Sequence, residues 1–177
     1  MIRKYRFFLF MGVLCLVAIF GCSNVSETAE GSSSNFVKAE ILEKVKSGHL
    51  EGVSIGIGAT KKEVTEKFDT LVRGRNSEYG FTSYYDGFSL QFEDYANSID
   101  EVKENSKVVL INADPKTVGL AGKPYEIKKI LGTPSREIVD DTGDDTFILE
   151  YTVDNYLLRF TFETIDSPVQ IIMLRVK

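Results

Sequence analysis

Asp140-Asp141-Thr142-Gly143-Asp144-Asp145 sets four carboxylates around one glycine, an oxygen-rich pattern of the kind that gathers Ca²⁺. The run lacks the glycine at position 6 and the glutamate at position 12 of an EF-hand loop. A solvated hairpin turn accounts for the same residues, so Asp140, Asp141, Asp144 and Asp145 are metal candidates against that simpler alternative. Paired carboxylates also hydrolyse glycosides, but only across a cleft at set separations, which spacing along the chain does not reveal.

Other chemistries find less support. His49, the single histidine, stands beside Glu51 in a connecting segment, and no HExxH or CxxC pattern accompanies it. Gly56-Ile57-Gly58 lacks the third glycine and the basic residue of a phosphate loop, and no G-x-S-x-G elbow occurs. The expectation is a protein that is not an enzyme and carries no cofactor. The remaining candidate is a partner-binding patch of Tyr84, Thr82, Gln91 and Glu93, which alternate onto one polar face. A tyrosine there can anchor a partner, although single tyrosines on sheet faces are often ordinary packing.

Two hairpins must position these groups. In Thr146 to Glu163, TFILEYTVDNYLLRFTFE, a turn at Asp154-Asn155 pairs Val153 with Tyr156, Tyr151 with Leu158, Leu149 with Phe160 and Phe147 with Phe162, giving one apolar face. The other face pairs Thr152 with Leu157, Glu150 with Arg159, Ile148 with Thr161 and Thr146 with Glu163. A one-residue slip would expose the apolar set, so the register is well specified and something must cover that face. Upstream, YGFTSYYDGFSLQFED (79–94) repeats the grammar around Asp86-Gly87, with Tyr85 facing Phe88, Ser83 facing Leu90, Phe81 facing Phe92 and Gly80 facing Glu93. A shift of 154 − 86 = 68 residues superposes the two hairpins, which suggests a tandem repeat.

Helices are expected before each hairpin. Phe36 to Ser47 carries an Ile41, Leu42, Val45 stripe stopped by Gly48. Thr60 with Glu63 forms a capping-box pattern ahead of Val64 and Phe68. In the second half Pro124 opens a helix, Ile127 and Leu131 lie four apart, and Gly132 and Pro134 close it. Lys107 to Asn112, Arg136 to Val139 and Val169 to Val176 read as further strands. The predicted fold class is therefore α+β: two tandem units, residues 36–115 and 116–177, each a helix or helix pair followed by a 3-4-stranded antiparallel meander.

The N-terminal region reads as an address. Arg3, Lys4 and Arg6 precede an apolar run from Phe7 to Phe20 that is short for a membrane span, the pattern of a signal peptide over residues 1–21. Ile19-Phe20-Gly21-Cys22 resembles the bacterial lipobox, which makes Cys22 the lipidation candidate. An ordinary secretory signal with a chance cysteine is the alternative. Residues 22–35, Ser-rich after the cysteine, form a flexible tether with an end-to-end distance of roughly 20 Å. Cys15 and Cys22 are the only cysteines, so the folded part has no disulfide. The chain carries 21 − 26 = −5, or 18 − 26 = −8 without Arg3, Lys4 and Arg6, which gives no electrostatic reason to bind nucleic acid.

Ile41-Leu42-Glu43-Lys44-Val45-Lys46-Ser47-Gly48, the Gly58 to Phe68 segment and Lys129-Ile130-Leu131-Gly132-Thr133-Pro134 together resemble the YjgB family of Bacillus-type lipoproteins, a domain of unknown function. That family is similar in turn to the β-lactamase-inhibitory-protein (BLIP) fold and the outer-membrane assembly lipoprotein BamE. The resemblance implies a tandem α+β unit whose sheet faces another protein, and it brings no catalytic residues. Phe68-Asp69-Thr70 departs from the Leu131-Gly132-Thr133 of the second half. The expected function is a non-enzymatic protein-interaction module of a Gram-positive cell envelope, exported and held by its lipid on the outer face of the cytoplasmic membrane. A small-ligand or Ca²⁺-binding envelope lipoprotein is the second expectation.

Overall fold

The computed structural model describes residues 38–68, 71–77, 80–140 and 146–177. The signal segment, Cys22 and the tether lie outside the described residues, as do Asp141, Asp144 and Asp145. A helix, α1, occupies 38–46, and Val45 is its buried residue while Ile41 and Leu42 are half-buried. The helix α2, Lys61–Lys67, starts where Thr60 predicts. There the Glu63 backbone N–H donates to Thr60 Oγ1 at 3.3 Å and the Thr60 N–H donates to Glu63 Oε2 at 2.7 Å, so each residue satisfies a donor on the other.

The first strands are β1 (Arg73–Ser77), β2 (Gly80–Tyr85), β3 (Phe88–Phe92) and β4 (Val108–Ala113). A single 3₁₀ turn, Ile99–Glu101, sits in the loop between β3 and β4. The helices α3 (Pro115–Val118) and α4 (Pro124–Leu131) follow, then β5 (Arg136–Asp140), β6 (Thr146–Val153), β7 (Tyr156–Phe162) and β8 (Val169–Val176). Gly132 ends α4 at φ 84, and its carbonyl accepts the Tyr151 hydroxyl at 3.1 Å, tying the helix to β6.

The eight strands form one antiparallel sheet in the order β1-β2-β3-β4-β8-β7-β6-β5. This corrects the expectation of two tandem helix-plus-meander units resembling β-lactamase-inhibitory protein. Strand β4 pairs directly with β8, Ile111 opposite Leu174 and Ala113 opposite Ile172. Two separate meanders would leave β4 and β8 as unpaired edges and cut one apolar surface in half. Joining them removes both edges and makes a single core. Among the described residues the helices are few and short, α3 spanning only four residues, so the sheet is the frame.

One face of the sheet is apolar and covered. Phe81, Leu90, Phe92, Ile111, Phe160 and Leu174, all buried, pack with Val45, Val64, Val118, Ile127 and Leu131 from the four helices. Each such Phe or Leu withdrawn from water is worth roughly 1.5–3 kcal/mol, which is why even short helices are held there. The β6–β7 register matches the sequence pattern from Val153–Tyr156 to Phe147–Phe162. The β2–β3 ladder holds from Tyr85–Phe88 to Thr82–Gln91 and then departs from expectation. Phe81 N–H donates to the Asp94 carbonyl at 2.8 Å, and Gly80, at φ 133, lies so close to the Phe92 carbonyl that a Cβ would come within 2.0 Å of it. The register shift between Gln91 and Phe92 accompanies this departure.

Candidate functional site

The other face of the sheet contributes nothing to that core. Ile148 marks the division, being buried at 9 % exposure yet absent from the core cluster that holds its neighbours Phe147 and Leu149. Strand registers place one residue from every strand in a row across this open face. Arg73 pairs with Tyr84, Tyr84 with Ser89, Ser89 with Asn112, Asn112 with Met173, Met173 with Arg159, Arg159 with Glu150 and Glu150 with Arg136. The adjacent row runs Arg75, Thr82, Gln91, Leu110, Arg175, Leu157, Thr152.

Those rows hold Arg73, Arg75, Arg136, Arg159 and Arg175, which are all five arginines of the described residues. None of the eight strands contains a lysine, so the two kinds of cation are sorted, lysine to helices and loops and arginine to the open face. The planar guanidinium presents a fixed fork of donors that matches carboxylate or phosphate, whereas lysine presents a point charge. Glu150 is the central carboxylate of this face. It accepts from Arg159 Nε at 2.9 Å and Nη2 at 2.5 Å, and Arg136 Nη1 lies 3.6 Å from its other oxygen. Among the described residues no carboxylate pairs with Arg73, Arg75 or Arg175. Arg73 and Arg75 instead stand over the Tyr84 ring, 4.4 and 5.4 Å from its centre.

Beside them is a cavity of about 370 Å³, lined among others by Arg73, Arg75, Tyr84, Asn112 and Ile171 and by one acidic residue, Asp114. Tyr85 and Phe88 back this end of the sheet, stacked at 5.0 Å, with Phe68 against both at 5.0 and 5.3 Å. Burial pushes the Tyr85 hydroxyl pKa up, and its contact with Ser83 partly opposes this.

The four residues expected to form a partner patch take different roles. Tyr84 is half-buried under the two guanidinium groups. Thr82 and Gln91 are buried, and Gln91 Nε2 donates to Ser77 Oγ at 3.0 Å, so they make the floor of the face. Glu93 lies past the end of β3, where its carboxylate accepts the Lys107 N–H at 3.2 Å. The arginines were missed because overall acidity masked a basic face, and β1 was not expected as a strand at all. The signal available was the sorting of arginine from lysine along the chain.

Of the metal candidates only Asp140 is described; it ends β5 opposite Thr146. Among the described residues no three His, Cys, Asp or Glu side chains are grouped to hold a metal. His49 is exposed, with Nδ1 donating to the Ser47 carbonyl at 2.9 Å and its ring lying against Gly56. Among the described residues no helix is long and apolar enough to cross a membrane.

The fold has a solved counterpart. A crystal structure of a DUF4309 family protein (YjgB) from Bacillus subtilis matches with a TM-score of 0.55 at 16 % identity, covering 81 % of this chain and 100 % of that one. No curated protein matches the sequence. The model of the domain of unknown function DUF4309 matches residues 38–174, from the first described turn of α1 almost to the end of β8, and the chain therefore belongs to the DUF4309 family.

Proposed function

We propose that this protein is a non-enzymatic lipoprotein of the bacterial envelope, anchored through Cys22, whose open sheet face binds an acidic segment of another envelope protein. The observation that carries the reading is the placement of all five described arginines on that face, three of them without a carboxylate partner among the described residues. Arginine and tyrosine are enriched where interfaces draw most of their energy, and here Tyr84 lies beneath two arginines. The basic leader, the apolar run and Ile19-Phe20-Gly21-Cys22 support export and lipid attachment. Two or more acyl chains give stable anchoring, and residues 23–35 supply the tether.

The test is photo-cross-linking in intact cells from an unnatural residue at Thr152, an exposed position of the open face. A captured protein should disappear in the R73E/R75E/R175E variant and persist when Lys62, Lys67 and Lys129 are changed to Glu. Capture indifferent to the arginines overturns the reading. Cys22→Ala should move the chain from the membrane to the soluble fraction, and its retention at the membrane would refute the anchor. A second reading, binding of a small anion, is favoured only by the cavity beside Tyr84. Calorimetry with soluble carboxylates and phosphates distinguishes it, since a macromolecular face predicts no saturable heat from them.

A further inference from the structure

The two ends of the sheet differ in what their arginines meet. Among the described residues, strands β1 and β5 are its edges, each with one side lacking a neighbour strand. On β5 the single arginine, Arg136, already reaches Glu150, and Glu137 is engaged by Lys128 at 3.2 Å. On β1 both arginines are exposed, pair with no carboxylate among the described residues, and are held on the open face by the Tyr84 ring behind them. Arg73 and Arg75 are two apart in a strand, so they share a face with their Cα atoms roughly 7 Å apart. The strand RGRNS contains no proline, leaving its backbone groups able to pair outward.

We infer that the β1 edge takes an acidic segment of the partner protein in extended conformation, with carboxylates two residues apart that meet Arg73 and Arg75. This rests on the interaction-module reading and specifies its partner. Addition of a strand supplies main-chain hydrogen bonds, while the period of two supplies the choice of sequence. A segment with carboxylates three apart would send one of them to the helix-covered side, away from both guanidinium groups.

The experiment titrates fluorescent peptides of Glu-x-Glu and Glu-x-x-Glu spacing into the full chain in detergent. The spaced pair Glu-x-Glu should bind about tenfold more tightly. R73Q/R75Q should abolish that preference and R136Q should keep it. Hydrogen exchange should slow at β1 amides on binding, and protection at β5 instead overturns the assignment. If the two arginines only guard the edge against self-pairing, R73Q/R75Q will self-associate and the parent chain will bind neither peptide, which also refutes it. Should spacing make no difference while arginine substitution still abolishes capture in cells, this inference falls and the proposed function stands. Capture independent of the arginines removes both.

Discussion

Arg159 grips Glu150 with two nitrogens at 2.9 and 2.5 Å, directly across the β6–β7 pair, and Glu150 is the one fully buried carboxylate of the described residues. Arg136 approaches the same group from β5 at 3.6 Å, so one acid joins three adjacent strands on the open face. Removing it strands a cation that keeps 27 % of its side chain exposed, which moderates the penalty. Glu150→Ala should lower stability by about 3 kcal/mol, the bottom of the range for breaking a buried pair. Denaturant midpoints of E150A, R159A and the double variant check this, and the double variant should lose less than the sum.

Gly80 should tolerate no side chain. Its φ of 133 is one that L residues rarely adopt, and an added Cβ would meet the Phe92 carbonyl at 2.0 Å. Gly80→Ala is expected to cost about 3 kcal/mol or more, read from the thermal midpoint, because backbone rather than a flexible side chain blocks the space.

At the start of α2 the prediction concerns acid. The Thr60 N–H and hydroxyl both donate to the Glu63 carboxylate and hold its pKa below the ordinary 4.5. A depressed folded value means the stabilisation is complete above the unfolded pKa and fades as pH falls through the folded one. Stability measured from neutral pH downward should therefore drop less steeply below about pH 4.5 in Glu63→Gln than in the parent chain. Thr60→Ala should cost about 1 kcal/mol at neutral pH, the usual loss of a helix cap.

At the alkaline end Tyr151 takes over. Burial, reinforced by the nearby Glu137, pushes its hydroxyl up to about 12 from the ordinary 10.0. A raised folded pKa keeps its full contribution below the unfolded value and loses it as pH climbs through the folded one. Between these pH values the native state should weaken, and ultraviolet titration should find a tyrosine ionising well after the exposed ones. Tyr151→Phe should flatten that slope and cost about 1 kcal/mol at neutral pH, since its hydrogen bond to Gly132 is lost.

The parts of the fold written in alternation were legible. Phe147 to Phe162 sets a polar residue between most of its core-facing apolar ones, Ile148 and Leu157 being the exceptions, and the register followed to the residue. The pairing of β4 with β8 was not, because alternation says which face is buried and not which strand lies alongside. Strand β1 was invisible for a local reason. Its core-side positions are Gly74 and Asn76 where an apolar pair would be expected. The Phe81 ring fills the space under Gly74, where a Cβ would come within 2.3 Å, and Asn76 Oδ1 accepts the Ala96 N–H at 3.0 Å. The candidate site inherited that blindness, since Arg73 and Arg75 belong to the missed strand. Tyr84 was found because its own strand alternates.

The sorting of arginine to the strands and lysine to helices and loops has a practical meaning for anyone handling the protein. Reagents that attack primary amines, whether surface-coupling esters, biotin labels or common homobifunctional linkers, will attach to the helices and loops and leave the guanidinium-bearing strands chemically untouched. A chip prepared this way displays the open face toward solution. An amine-to-amine linker applied to cells, by the same logic, is blind to whatever rests on that face.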